Sequence, residues 1–257
     1  AVEFRIKAIL AEQEAHYFSN LLVGRGTETD KMTDVAKKSI NEAVAEIRKK
    51  AWEYVIYGTD FAKITTSKVR KEIEAEAETY YTKAFTASNI RTFMISLMER
   101  QGAILTDCIV EVFDLFTKYH DGNRVHIEGW KSNDYFLVGK KVVLPYAIDC
   151  RWGSAEVSWG FQEKLMDIER ALSHCDTGVL PEKSAVQILK EAREATGLLS
   201  RAIDSKYFKI RCYMKGTIHL MFKDSDILNR FNLMAVRGKG WLKEGDPPPA
   251  GFNQLAA

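Results

Sequence analysis

The sequence predicts an α+β protein: an N-terminal helical bundle over residues 1–119, then a lobe with two β-hairpins and about three helices over residues 120–245. A flexible tail, residues 246–257, completes the expected division. Two observations carry the fold class. Apolar residues recur every three or four positions through the first 119 residues, the period of a helix with one buried face. Two later stretches, 125–144 and 207–222, change to β-formers alternating every second residue and broken by glycine. A composition of 46% hydrophobic and 28% charged residues supports a packed core and excludes a disordered or collagen-like chain.

In chain order, Phe4, Ile6, Ile9, Leu10, Tyr17 and Leu21 give a helical recurrence that stops at Gly24-Arg25-Gly26. That Gly-x-Gly lacks a third glycine, a Gly-Lys-Ser/Thr continuation and a preceding strand, so it is a helix terminus and not a phosphate loop. Asp30 is placed to cap a helix running to about residue 57, with Ile40, Val44, Ile47, Ala51 and Tyr54 on its apolar stripe. A helix over 67–85 turns Val69, Ile73, Ala77 and Tyr80 inward and an Arg/Lys/Glu face outward. Ser88 caps a shorter one with Ile90, Phe93, Met94, Leu97 and Met98 inward. The segment 104–119 is apolar on most sides, which marks a central helix packed by several others. It delivers His120 at its C-terminal end.

Asp121-Gly122-Asn123 is turn chemistry. Strands are expected at 125–128 and 135–138, and Gly139-Lys140 reads as a tight turn into a return strand at 142–144 ended by Pro145. Arg151-Trp152-Gly153 reads as a loop before a helix over 155–173, and Pro181 as the first-turn residue of a helix ending at Gly197. In the second hairpin a three-residue loop, Met214-Lys215-Gly216 with Gly216 left-handed, pairs Tyr213 with Thr217 and unites two apolar sets. Phe208, Ile210, Cys212, Ile218, Leu220 and Phe222 then face the core, while Tyr207, Lys209, Arg211, Tyr213 and His219 face out. Asp224 or Ser225 caps the last helix, which feeds Arg237-Gly238-Lys239-Gly240-Trp241.

Net charge is only +2, but residues 206–243 hold nine Lys and Arg against two Asp, a local excess that suits a polyanionic partner. Cys108, Cys150, Cys175 and Cys212 form no Cys-x-x-Cys pair, the usage of an intracellular protein with free thiols. With no charged-then-apolar leader and no apolar run of about 18 residues, a cytoplasmic protein without a membrane partner is expected.

The densest chemistry lies between His120 and Asn133. His120, Asn123, Glu128 and Lys131 are the candidate catalytic residues, able to supply acid, base and cation. The alternative for His120 and Asn123 is to satisfy the backbone where the helix breaks. No metal site is assigned, because the His-x2-Asn-x2-His spacing fits no zinc pattern. Arg124, Trp130 and Asn133 offer a nucleic acid a cation, a stacking plane and an amide. Lys209, Arg211, Tyr213 and His219 interleave cations with rings, as RNA-binding sheets do, and Arg237, Lys239 and Trp241 continue the theme. No motif fixes a reaction or a cofactor.

The stretch YHDGNRVHIEGWKSNDYFLVGKKVVLPY, followed by RWG, KYFKIRCYMKGTIHLMF and NRFNLMAVRGKGW, resembles an uncharacterised family termed a domain of unknown function. Its members occur in phage, prophage and plasmid-borne bacterial proteins, often beside or fused to S-adenosylmethionine-dependent DNA methyltransferase domains. The resemblance implies a mobile-element or phage-conflict setting, with a protein of host defence or of a methyltransferase system as a possible partner. These 257 residues carry no methyltransferase motif, so no cofactor is carried over. The expected function is a nucleic-acid-binding accessory protein of a phage or mobile element. The alternatives are a small nuclease using the 120–133 cluster and an interaction protein that inhibits a host or phage protein.

Overall fold

The computed structural model describes residues 40–57, 64–127, 135–151, 154–197, 201–243 and 245–248. The expected helix over 4–22, the Asp30 cap and all but the start of the tail lie outside them. The chain divides into two compact units.

The smaller unit holds residues 1–58 and 74–97: α1 (Ile40–Tyr57), the later turns of α2 (Ser67–Tyr81) and most of α3 (Ala87–Glu99). Its centre is Trp52, fully buried, with the rings of Tyr80, Phe85 and Phe93 at 5.3, 5.4 and 6.0 Å. The Trp52 indole N–H donates to the Lys83 carbonyl. This corrects the expected stripe of α1, because Val44 and Tyr54 are exposed while Trp52 and Ile56 are buried. One indole ring offers more apolar area than several small side chains, so it decides which face turns inward. Thr86, and not Ser88, caps α3, its hydroxyl accepting from the Asn89 N–H.

The larger unit holds residues 59–73 and 98–257. The apolar helix α4 (Gln101–Lys118) belongs here, although the sequence suggested that the helical lobe runs to residue 119. Its buried Ile109, Val112, Phe113 and Phe116 need more cover than helices alone provide, and they join one core with the strands that follow.

Those strands are β1 (Arg124–Val125), β2 (Leu137–Val138), β3 (Lys141–Leu144), β4 (Ile148–Arg151), β5 (Ser154–Val157), β6 (Ile203–Asp204), β7 (Phe208–Cys212) and β8 (Ile218–Phe222). A four-stranded antiparallel sheet has the order β3-β8-β7-β6, while β1-β2 and β4-β5 form separate ladders. The expected hairpin of β2 with β3 does not form. At Gly139-Lys140 the chain leaves one sheet for another, and β3 pairs with β8, Lys141 opposite Met221 and Val143 opposite His219. Two hairpins are nevertheless present, β4-β5 and β7-β8, with the first where a loop and a helix start were expected. There Ile148 opposite Val157 puts apolar residues against the core, and α5 (Trp159–Cys175) begins only after Ser158.

Beyond α5 come α6 (Ala185–Thr196) and α7 (Ser225–Gly238). Ser184 caps α6, so Pro181 lies ahead of the helix and not in its first turn. Gly197, at φ +79°, ends it as expected. Asp224 caps α7 by accepting from the N–H groups of Asp226 and Ile227. Phe116 of α4 and Phe231 of α7 meet Phe222 on the inner face of the sheet, so helices cover one side of it. At Gly238 an added Cβ would come within 2.6 Å of Thr106 and 2.7 Å of Val110, which keeps the end of α7 in close contact with α4.

Candidate functional site

The β7-β8 turn forms as the alternation requires. Tyr213 N–H donates to the Thr217 carbonyl, Gly216 N–H donates to the Tyr213 carbonyl, and Gly216 has φ +78°. The inward set from Phe208 to Phe222 is buried throughout. Pairing on both sides of the hairpin then builds two rows across the outer face. One reads Lys141, Met221, Lys209, Asp204, and the other Val143, His219, Arg211.

Lys141, Lys209 and Arg211 are exposed, and among the described residues none of them has an ion-pair partner. The Tyr213 and His219 rings lie 4.2 Å apart, centroid to centroid and tilted, on diagonal positions of the two strands. Burial against the sheet, with Lys141 and His120 nearby, holds the His219 imidazole below its ordinary proton affinity. Lys141 is the member that sequence reasoning missed. The return strand expected at 142–144 begins after it, and only its pairing with a strand 80 residues away brings it here.

Tyr207 is a correction. It is buried, because the turn in which Ser205 N–H donates to the Phe208 carbonyl interrupts the alternation just before β7.

The other expected residues have different places. Asn123 is completely buried and its amide is fully engaged. It donates to the carbonyls of Phe116 at 2.7 Å and Val143 at 2.8 Å, and accepts from Val143 N–H at 2.8 Å. One bond closes an orphan carbonyl at the end of α4, and the others occupy the outward side of β3. Of the two readings for Asn123, the structure shows the backbone one. Arg124 helps it, donating from Nε to the Thr117 carbonyl, pairing with Asp121 and lying 4.9 Å over the Phe136 ring.

His120 stays exposed, its imidazole resting where a Gly122 side chain would otherwise be. It adds, after burial and Lys141, to the lowering of the His219 proton affinity. Glu128, Trp130, Lys131 and Asn133 lie outside the described residues.

Lys239 donates to Asp114 at 2.6 Å, and Trp241 stacks on Tyr135 at 5.0 Å. Both sit with the helices that cover the inner side of the sheet, away from Lys209 and Arg211. Arg237 is exposed and donates to the Asp246 carbonyl. Among the described residues no group of three or more His, Cys, Asp or Glu is placed to hold a metal ion, and no helix is long and apolar enough to cross a membrane. All four cysteines are free, and burial pushes Cys175 and Cys212 up to about 12.

Fold and site together define an α+β protein whose antiparallel sheet packs helices on one face and exposes cations and rings on the other. The chain belongs to the family described as Domain of unknown function (DUF4942), whose profile matches residues 44–241. No curated protein and no solved structure matches it.

Proposed function

We propose that the outer face of the β3-β8-β7-β6 sheet binds nucleic acid, and that the protein is a cytoplasmic accessory factor of a phage or mobile element. The observation that carries this reading is the juxtaposition of Lys141, Lys209 and Arg211, without ion-pair partners among the described residues, with the Tyr213–His219 ring pair. Cations spaced across paired strands suit a phosphate backbone, and exposed rings suit base faces. The resemblance to phage and plasmid proteins found beside DNA methyltransferases supplies the setting. A protein partner from such a system fits the same setting.

The test is fluorescence anisotropy with labelled single-stranded DNA, duplex DNA and RNA at two salt concentrations. Binding that weakens steeply with salt, and that Lys209→Glu/Arg211→Glu abolishes, is the expected result. Absence of binding at low salt overturns it and turns attention to a protein partner.

One observation favours strand cleavage as a second reading. Lys141 lies diagonal to His219 across the β3-β8 pair, beside the proposed strand path, and with His120 it adds to the lowering of the His219 proton affinity. Shortened strands on gels of the same samples, lost in His120→Ala with binding intact, would establish it.

A further inference from the structure

Three large side chains of the larger unit are strongly exposed: Trp159 at 87%, Tyr146 at 84% and Met214 at 72%. They are distant in sequence, yet backbone hydrogen bonds draw their segments to one end of the sheet. Ala147 N–H and Ile148 N–H both donate to the Gly216 carbonyl, at 2.8 and 3.2 Å, which ties the residue after Tyr146 to the Met214 turn. Ser158 N–H donates to the Ala147 carbonyl and the Ser158 hydroxyl to the Tyr146 carbonyl, which ties in the first residue of α5, Trp159. Tyr146 also holds φ +57°, the only left-handed non-glycine backbone among the described residues. An asparagine or glycine would adopt that conformation more easily, and burial of the ring does not explain a tyrosine there.

Resting on the proposed nucleic-acid face, we infer that this aromatic rim is a subsite for unstacked bases, and that the ligand is therefore a single strand. Tyr213 belongs to the same turn and links the rim to Arg211, so a strand whose phosphates follow the cations reaches Tyr146 and Trp159 with its bases. Only a single strand has base faces free to stack on protruding rings; a duplex keeps them inside. Charge supports the same occupant, because Lys215 in the turn adds an exposed cation to those of the sheet.

The experiment uses the full chain, a labelled single-stranded oligonucleotide and its annealed duplex. The expected result is a preference of about tenfold for the single strand, with quenching of tryptophan fluorescence. Tyr146→Asn, which accepts the left-handed backbone, and Trp159→Ala each reduce that preference and leave the salt-dependent duplex binding as it was. Trp159→Phe keeps the stacking plane and loses the quenching. Circular dichroism confirms that these exposed positions leave the fold intact.

Equal affinity for strand and duplex, or rim variants that bind like the native protein, overturns the inference while the sheet-face reading stands. No binding to either probe overturns that reading as well. Binding to anionic vesicles with a blue shift of tryptophan emission that Trp159→Phe removes, in place of oligonucleotide binding, overturns both and identifies a lipid surface.

Discussion

The corner at Asn123 and the outer face of the sheet carry similar residue types and have opposite fates. At the corner the polar groups are consumed: all three hydrogen bonds of the Asn123 amide go to main-chain groups, and Arg124 is held by a carbonyl, a carboxylate and a ring. On the sheet the main chain is already satisfied by its neighbours, so Lys209 and Arg211 are left over for something else. A polar side chain beside an unfinished backbone completes the fold, and one beside a finished ladder remains available to a partner.

The sharpest way to break this contrast is Asn123→Ala. It orphans the Val143 N–H and the carbonyls of Val143 and Phe116, and should lower stability by about 4 kcal/mol, read from the denaturant midpoint. A variant that unfolds at the native midpoint would show that water replaces the amide.

Glu169 extends the comparison to a buried carboxylate. Both its oxygens accept from Ala185 N–H at 2.9 Å, and burial raises its pKa from 4.5 to about 7. The folded state therefore holds this proton more tightly than the unfolded chain. Its contribution is fully present below about pH 4.5 and declines as pH rises to about 7, by up to about 3 kcal/mol. In Glu169→Gln that part of the pH dependence of thermal unfolding should vanish; an unchanged slope would assign it elsewhere.

On the sheet the expected stability effects are small. Lys209→Glu/Arg211→Glu should shift unfolding by no more than about 0.5 kcal/mol, whatever it does to binding. A large loss would mean that these cations support the fold.

His219 gives a finer test. Its folded proton affinity lies below the ordinary imidazole value of 6.5, so acidification through that range adds a cation to the face while slightly destabilising the fold. Oligonucleotide affinity should rise as pH falls, and His219→Ala should flatten the rise. The smallest perturbation is chemical: maleimide should label exposed Cys150 first, while buried Cys108, Cys175 and Cys212 wait for unfolding.

What was legible in the sequence follows the range of the interactions. The β7-β8 register could be read from residues 207–222 alone, because only one loop length unites both apolar sets and Gly216 permits it. The fate of β2 and β3 could not. One is fixed by Asn232, whose amide both donates to and accepts from Val138 across 94 positions, and the other by β8. Val142–Leu144 alternates equally well beside either neighbour. The β4-β5 hairpin was hidden for a related reason, since Ser154-Ala155-Glu156-Val157 fits the first turn of a helix as well as a strand. Tyr207 followed the alternation on paper and lost it to a turn that nothing in its own spacing announces. Asn123 was recognised as important, but its duty depends on β3 lying at an edge.

That edge has a consequence for the protein in crowded solution. Asn123 occupies the outward N–H and C=O of Val143 as a strand one residue long would, and the opposite edge strand, β6, has only two residues. Copies of the protein crowded side by side thus find little ladder to extend from one molecule into the next, and a sheet with one open face stays resistant to edge-to-edge aggregation.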